Sequence, residues 1–217
     1  MKKIIANLIL VFTLFVIYSS VAISFFIDFE AEISSQSLMF ALIFNFLIIF
    51  IPSILFAYLY YGEIWNSLYF RKEGAVKSIL YGFLSTIIFL FLQGAFLTII
   101  GYEESNPLAE KIVEIVKRNS FLLFLIPIIS SISEETFYRG VIQNLLQKKM
   151  GIYSIFLTSL IFAIAHIEYK TIFQILMPFL FALLLGFLMY KFKNIFAPIS
   201  AHFFYNFLSL LVSVFYG

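Results

Sequence analysis

The chain has 217 residues, of which 63% are hydrophobic and only 12% charged, and its mean hydropathy is +1.04. A soluble domain carries about 25% charged residues, because polar side chains must cover its surface. The composition therefore excludes an ordinary water-soluble globule and predicts an integral membrane protein. The net charge of +2 argues against a nucleic-acid partner, and the absence of Cys excludes disulfides, thiolate metal sites and a cysteine nucleophile.

Long uncharged stretches divide the chain into candidate membrane spans at residues 4–27, 36–62, 78–102, 171–190 and 194–217. Each is long enough for a helix to cross about 30 Å of hydrocarbon, and none shows the alternation of barrel strands. Two further apolar segments, 121–147 and 150–167, flank Lys148 and Lys149 and contain ionisable residues. The sequence thus predicts an all-α polytopic membrane protein with about seven transmembrane helices in one domain, 1–217.

Basic residues are unevenly distributed between the two sides of these spans. If the spans alternate in direction, one side carries Lys2, Lys3, Arg71, Lys72, Lys77, Lys148, Lys149, Lys191 and Lys193. The other side carries Lys111, Lys117, Arg118 and Lys170, with Asp28, Glu30, Glu32, Glu103, Glu104, Glu110, Glu114 and Glu168. Because basic loops stay in the cytoplasm, we expect the N-terminus inside and the C-terminus outside. The expected location is a cell membrane, and the Ile/Phe/Lys/Asn-rich composition favours a bacterial cytoplasmic membrane.

The chain divides by composition into three parts. The N-terminal helices cover residues 1–102, and a polar segment at 103–120 separates them from the apolar segments of 121–217. Within the polar segment, Leu108, Ile112, Ile115 and Val116 recur at helical spacing among charges. This pattern predicts a short amphipathic helix that lies on the outer surface of the membrane.

Two carboxylates and one guanidinium interrupt an otherwise apolar span. Of the twelve acidic residues, only Glu134 and Glu135 lie inside a span, and Arg139 follows close behind. A charge at mid-bilayer costs about 2.5–3.5 kcal/mol on insertion scales, so such residues usually have a function. Glu135 and Arg139 share a helix face and can form an ion pair. Glu134 points elsewhere and lacks that partner, which favours a general base over a purely structural polar cluster.

Both His residues of the chain also fall inside predicted spans. Phe162 precedes His166 by four residues, and Asn206 follows His202 by four, so each pair shares a helix face. A single buried His is usually a packed core residue, whereas two such residues beside an intramembrane Glu pair predict one functional site. Rough depth estimates place Glu134, His166 and His202 within about two helical turns of one another.

These residues occur in a recognisable order, namely Glu134-Glu135-x-x-x-Arg139, then Phe162-x-x-x-His166, then His202-x-x-x-Asn206. The ordered set resembles the CPBP (Abi) family of intramembrane endopeptidases, which includes type II CAAX prenyl endopeptidases and bacteriocin-processing or self-immunity proteins. The resemblance covers roughly residues 121–211. It implies an all-helical protease with a membrane cavity open toward the cytoplasm and a membrane-associated peptide or prenylated protein as substrate.

The resemblance also implies a role for each motif residue. Glu134 and His166 would activate water, His202 and Asn206 would orient the substrate and stabilise the oxyanion, and Glu135 and Arg139 would brace the helix. Glu134, His166 and His202 could instead bind zinc, in which case Glu135 would be the base, although the His-Glu-x-x-His motif of zincins is absent. We favour Glu-based catalysis without an obligate metal.

Two other functions use the same residue types. Glu, His and Arg inside helices can form the proton relay of a coupled transporter, although the chain shows no internal repeat. Alternatively, the motif could survive as a structural element in a non-enzymatic immunity or partner-binding protein. The substrate stays open among a prenylated C-terminus, a bacteriocin leader and a peptide pheromone precursor.

Overall fold

A computed structural model describes residues 1–26, 33–102, 107–167 and 172–216. Every regular element within these ranges is helical: α1 (Lys2–Ser24), α2 (Ser35–Tyr61), α3 (Ala75–Ile99), α4 (Pro107–Arg118), α5 (Leu122–Glu135), a π-helical segment (Thr136–Gln143), α6 (Asn144–Met150), α7 (Tyr153–Ile164), α8 (Phe173–Phe192) and α9 (Phe196–Tyr216). Several residues used to predict the orientation lie outside the described ranges: Asp28, Glu30, Glu32, Glu103, Glu104, Glu168 and Lys170.

The helices confirm a multi-pass, all-helical membrane protein. Five are long and apolar enough to cross a membrane, namely α1, α2, α3, α8 and α9. The predicted span 121–147 is a continuous run of α5, the π segment and α6. The predicted span 150–167 contains only α7, whose 12 residues measure about 18 Å, well short of a bilayer core. Seven predicted passes therefore correspond to five full-length helices, one composite span and one short helix.

Contacts between loops and helix ends define the two ends of the bundle. At one end, Lys3 lies over the ring of Tyr60, and Lys148 lies over the ring of Tyr61. Asn194 donates from Nδ2 to the carbonyl of Arg71 at the same end. Because the start of α1, the end of α2, the end of α6 and the start of α9 meet here, we call it the lysine-rich end.

The amphipathic helix α4 packs onto the opposite end, which we call the α4 end. Its residues Ile115 and Val116 are buried, and they contact Leu122 at the start of α5. Leu210 and Val214 near the end of α9 complete this cluster. The bundle itself therefore covers the apolar face of α4. This packing holds the start of α5 and the end of α9 together.

Close packing between α3 and α9 fixes the helix that carries His202. Gly82 lies directly against the backbone of Ala197, where a Cβ atom would collide with the carbonyl oxygen. Thr86 Oγ1 donates to Ala201 O at 2.9 Å, and Ser200 Oγ donates to Ile79 O at 2.8 Å. Small and hydroxyl side chains thus let the two backbones approach and join, as is typical of helix pairs in membranes.

Gly82→Ala should therefore destabilise the protein by about 1–3 kcal/mol, because the added methyl group overpacks a backbone contact. Gly94→Ala on the same helix is the matched control, since a Cβ there meets open space. Thermal unfolding in detergent should show a lower midpoint for the first variant and an unchanged or higher midpoint for the second. Equal midpoints would contradict the close α3–α9 packing.

Candidate active site

The helix that carries both glutamates changes its winding immediately after them. Residues up to Glu135 are α-helical, and the π-helical segment begins at Thr136. Hydroxyl side chains satisfy carbonyls just before this change, as Ser133 Oγ donates to Ile129 O at 2.7 Å and Thr136 Oγ1 to Ile132 O at 2.6 Å. Insertions of this kind cost backbone stability and are frequent at functional sites.

Glu135 is the centre of a fully buried polar network. Arg139 Nε lies 3.2 Å from Glu135 Oε2, with both side chains at 0% exposure, which confirms the predicted pair. His202 Nδ1 lies 2.8 Å from Glu135 Oε1. Because a carboxylate oxygen accepts, the Nδ1–H of His202 donates, and this hydrogen bond fixes its imidazole. Glu135 thus joins α5, the π segment and α9.

Helix α8, which carries none of the sequence motifs, supports the same network. Arg139 donates from a terminal nitrogen to Ala182 O at 3.1 Å, and Gln143 donates from Nε2 to Gly186 O at 2.9 Å. The absence of a side chain at Gly186 makes this approach possible, because a Cβ there would lie 2.8 Å from Ile155 Cγ2. Two side chains of the π segment thus bind two successive turns of α8. Sequence reasoning missed this role of Gln143 and α8, although Gln143 is a polar residue in an apolar span.

Glu134 faces His166 in a second, separate pair. Glu134 Oε2 lies 3.7 Å from His166 Nε2, which is within ion-pair range but longer than a hydrogen bond. His166 Nδ1 lies 2.8 Å from Phe162 O. Since a carbonyl only accepts, Nδ1 carries the proton, and the lone pair of neutral His166 is on Nε2. The structure therefore brings the Glu134 carboxylate and a basic imidazole nitrogen to the same point.

The ring of Phe162 lies between the two pairs and touches members of both. His166 stacks on it with ring centroids 4.3 Å apart, and His202 meets it edge-on at 6.0 Å. Arg139 places its guanidinium 4.8 Å from the ring centroid, and Tyr138 packs against it at 5.0 Å. Phe162 therefore aligns the imidazoles and covers the buried cation.

Phe162→Leu should reduce activity more than it reduces stability. A Leu side chain keeps the position apolar but cannot stack on His166, and misplacement of a reacting group by about 1 Å can cost up to 10²-fold in rate. Phe156→Leu is the control, because Phe156 lies on the same helix with 58% exposure. If the site cleaves peptides, as the sequence resemblance implies, cleavage per folded protein should fall for Phe162→Leu and stay unchanged for Phe156→Leu. If total cleavage instead falls only in proportion to the amount of folded protein, the role of Phe162 is limited to core packing.

Glu134 and His166 line a cavity of about 440 Å³, whereas the other predicted site residues do not. The side chain of Glu134 is 15% exposed and that of His166 is 36% exposed. The remaining walls of the cavity come from α1, α2, Leu108 of α4, Tyr138 and Ala165. The volume is in the range of small-ligand pockets. The cavity thus gives a ligand access to the Glu134–His166 pair.

Asn206 lies beside the helix turn that precedes Glu134. Its Nδ2 donates to Ser130 Oγ at 3.0 Å, and Ser130 precedes Glu134 by one turn of α5. The amide keeps a second N–H that this bond does not use. One face of α9 therefore contacts α5 twice, through Asn206 at Ser130 and through His202 at Glu135.

The predicted zinc ligands are divided between the two pairs. His166 lies with Glu134, and His202 lies with Glu135, so the set Glu134, His166 and His202 is not gathered as that prediction requires. Within the described part of the chain, no three His, Asp or Glu side chains are grouped closely enough to hold a metal ion. The three predicted zinc ligands thus do not form one group among the described residues. Adjacent glutamates project about 100° apart around their helix, and each lies next to a different imidazole.

Comparison with known proteins agrees with this arrangement of motifs. Residues 117–208 match the family model of the Rce1-like type II CAAX prenyl endopeptidases. The match begins at the end of α4 and includes every site residue predicted from the sequence. No curated protein and no solved structure matches the chain significantly. The Rce1-like endopeptidases are a group of CPBP proteins, so the match confirms the family resemblance of the motif-bearing helices.

Proposed function

We propose a specific reaction for this chain, supported by the similarity of residues 117–208 to the Rce1-like type II CAAX prenyl endopeptidases. The protein hydrolyses a peptide bond of a membrane-associated or lipidated peptide, and Glu134 activates the attacking water. Catalysis by the glutamate needs no resident metal ion.

The observation that carries this proposal is the facing pair of Glu134 and His166 in the cavity. When His166 is neutral, its Nε2 and the Glu134 carboxylate are both acceptors, and two acceptors at 3.7 Å cannot bond each other. A water molecule that donates to both, after a small widening of the pair, satisfies them and has its oxygen lone pairs directed away. That is the geometry of an activated nucleophile.

The reaction then proceeds through a tetrahedral intermediate. The water oxygen bonds to the scissile carbonyl carbon while Glu134 takes one of its protons. The carbonyl oxygen becomes an oxyanion, and its collapse breaks the carbon–nitrogen bond. Glu134 returns the proton to the leaving amine, and His166 holds the carboxyl group and the water in line. Base catalysis of this kind contributes about 10²–10⁴ in rate.

The remaining motif residues act on the intermediate or hold the site in place. We assign Asn206 as the oxyanion donor, supported by its bond to Ser130, which lies one turn before Glu134, and by the second N–H that this bond leaves unused; such a donor contributes about 10²–10³ in rate. His202 orients the substrate through Nε2, since its Nδ1 is occupied by Glu135. Glu135 and Arg139 are positioning residues that touch no reacting atom.

Cleavage in the presence of a chelator tests the metal-independent part of the proposal. We expect purified protein in detergent to cleave a membrane-associated peptide at the same rate with and without the chelator. Zinc added back should not increase the rate. Loss of cleavage on chelation with recovery on zinc addition would contradict Glu-only catalysis but would leave the protease assignment intact.

The competing functions predict different results in the same preparation. A partner-binding protein would cleave no membrane-associated peptide, and its biological activity would survive Glu134→Gln. A proton-coupled transporter would show substrate-dependent proton flux in liposomes that Glu134→Gln abolishes. Either result would overturn the protease proposal.

A further inference from the structure

Two side chains bind carbonyl groups at the end of α7. The N–H of Ala165 bonds Phe162 O and not the carbonyl of Ile161, which lies four residues before it and would be its usual helical partner. Tyr18 of α1 donates from its hydroxyl to Ile161 O at 2.6 Å, and His166 Nδ1 bonds Phe162 O. Because a carbonyl only accepts, the bond to Ile161 uses the single proton of the Tyr18 hydroxyl.

Tyr138 connects Tyr18 to the cavity. It follows Glu134 by four residues in sequence, and both of them line the cavity. The ring of Tyr138 packs edge-on against Phe162, and the residue is only 2% exposed. Its hydroxyl forms a side-chain hydrogen bond with Tyr18. Since the Tyr18 proton is directed to Ile161 O, Tyr138 is the donor in this bond and Tyr18 is the acceptor.

The Glu134 carboxylate, by contrast, has an oxygen that no protein group donates to. Glu134 Oε2 faces His166 Nε2, is buried and has no hydrogen-bond partner within the described part of the chain. The negative charge of Glu134 interacts with the Tyr138 hydroxyl, yet the Tyr138 proton goes to Tyr18. The carboxylate oxygen therefore stays open, as it must if a water molecule is to donate to it.

We propose that Tyr18 is a positioning residue, which accepts the Tyr138 proton and so keeps the Glu134 carboxylate available to the attacking water. The inference rests on the proposed protease function and deepens it, since it assigns a task to α1, outside the matched residues 117–208. A buried hydroxyl without an acceptor is costly. Without Tyr18, the Tyr138 hydroxyl donates to the open carboxylate oxygen of Glu134 and occupies the position that water needs.

A purely structural role of Tyr18 would use a different contact. Its bond to Ile161 O braces the end of α7, just before His166, and Tyr18→Phe removes this bond whether or not position 138 carries a hydroxyl. The bond from Tyr138 matters only while Tyr138 has a proton to donate. The two roles therefore predict different effects of Tyr18→Phe in a Tyr138→Phe background.

A double-mutant cycle of Tyr18→Phe and Tyr138→Phe tests the proposal, with a prenylated CAAX-type peptide in detergent as the probe. We expect Tyr18→Phe alone to lower kcat about tenfold with KM nearly unchanged, because one hydrogen bond of water to the base is replaced. In the Tyr138→Phe background, the same substitution should change kcat by less than about twofold. Tyr153→Phe is the matched control, since Tyr153 is 73% exposed on α7, and it should keep the parent rate.

An equal loss of kcat from Tyr18→Phe in both backgrounds would overturn the proposal, because the substitution would then act through Ile161 alone. Thermal unfolding of the same samples allows cleavage to be expressed per folded protein. No cleavage by the parent protein of this probe or of an unlipidated amphipathic peptide would instead remove the proposed protease function. Cleavage by the parent with equal losses in the cycle removes only the role of Tyr18.

Infrared spectroscopy of the resting protein tests the same hydrogen bonds without a substrate. The carboxylate bands of Glu134 are identified by the difference between the parent and Glu134→Gln. We expect these bands to shift in Tyr18→Phe, because the carboxylate gains the Tyr138 donor, and to return to the parent position in the double variant. Bands that stay unshifted in Tyr18→Phe would show that Tyr138 does not turn to Glu134, and the proposal would be wrong.

Discussion

Glu134→Gln should lower the rate of peptide cleavage by about 10²–10⁴ and leave folding unchanged, because Gln has the same shape but cannot take a proton from water. The carboxylate is close to His166 and lines the cavity, so its loss removes the base without removing a packing contact. The measurement is cleavage of a membrane-associated peptide by purified protein in detergent, with thermal unfolding recorded on the same samples.

Glu63→Gln is the matched control for this variant. Glu63 is exposed at the lysine-rich end, and among the described residues only its backbone carbonyl makes a hydrogen bond, so its substitution should change neither rate nor stability. Retention of more than a tenth of the parent activity in Glu134→Gln would show that another group is the base. An unfolded Glu134→Gln protein would show that the carboxylate is structural.

Arg139→Ala should be far more damaging to stability than Glu134→Gln. The guanidinium is fully buried, pairs with Glu135 and donates to Ala182 O. Its removal leaves a buried carboxylate whose remaining partner, within the described part of the chain, is His202. Breaking a buried pair in this way costs about 3–5 kcal/mol. The unfolding midpoint in detergent, or resistance to proteolysis, measures the loss.

Arg118→Ala provides the control, because Arg118 is exposed in the last turn of α4. Its midpoint should be close to that of the parent. Arg139→Lys separates charge from geometry, since a Lys side chain keeps the charge but cannot reproduce the planar hydrogen-bonding fork. If Arg139→Ala and Glu134→Gln unfold at the same temperature, the buried pair does not stabilise this site.

The sequence alone predicts that the charged residues of the spans are important, because the transfer of a charged side chain into lipid is strongly unfavourable. Only two carboxylates lie in a span, and the order of Glu134, His166 and His202 with their neighbours was enough to indicate the family. The Glu135–Arg139 pair followed from helical spacing and is present in the structure. Local rules suffice for such features because their partners are close in sequence.

The partner of each imidazole could not be predicted in the same way. The sequence predicts Glu134, His166 and His202 within about two helical turns of one another, and the structure pairs His202 with Glu135, on a helix that packs against Gly82 and Thr86 of α3. These contacts lie far away in sequence and consist of small residues without a distinctive pattern. The π segment was also not predicted, because nothing in the sequence marks the change of winding at Thr136.

The cavity depends on helices that carry no motif. Val16 and Ser20 of α1 and Asn45 of α2 form its walls, and they look in sequence like ordinary membrane-span residues with an occasional polar side chain. Their role becomes visible only when the tertiary structure brings them opposite Glu134 and His166. The short length of α7 was also not visible in the sequence. It places His166 just beyond the last helical residue, Ile164, rather than within a long span.

The central claim is that water, activated by Glu134, attacks the peptide bond without a covalent intermediate. The most direct measurement is mass spectrometry of a single turnover in water enriched in the heavy oxygen isotope. We expect one heavy oxygen atom in the new carboxylate of the product, a protein of unchanged mass at every time point, and no labelled product from Glu134→Gln. A transient protein species carrying the acyl fragment of the peptide would contradict it.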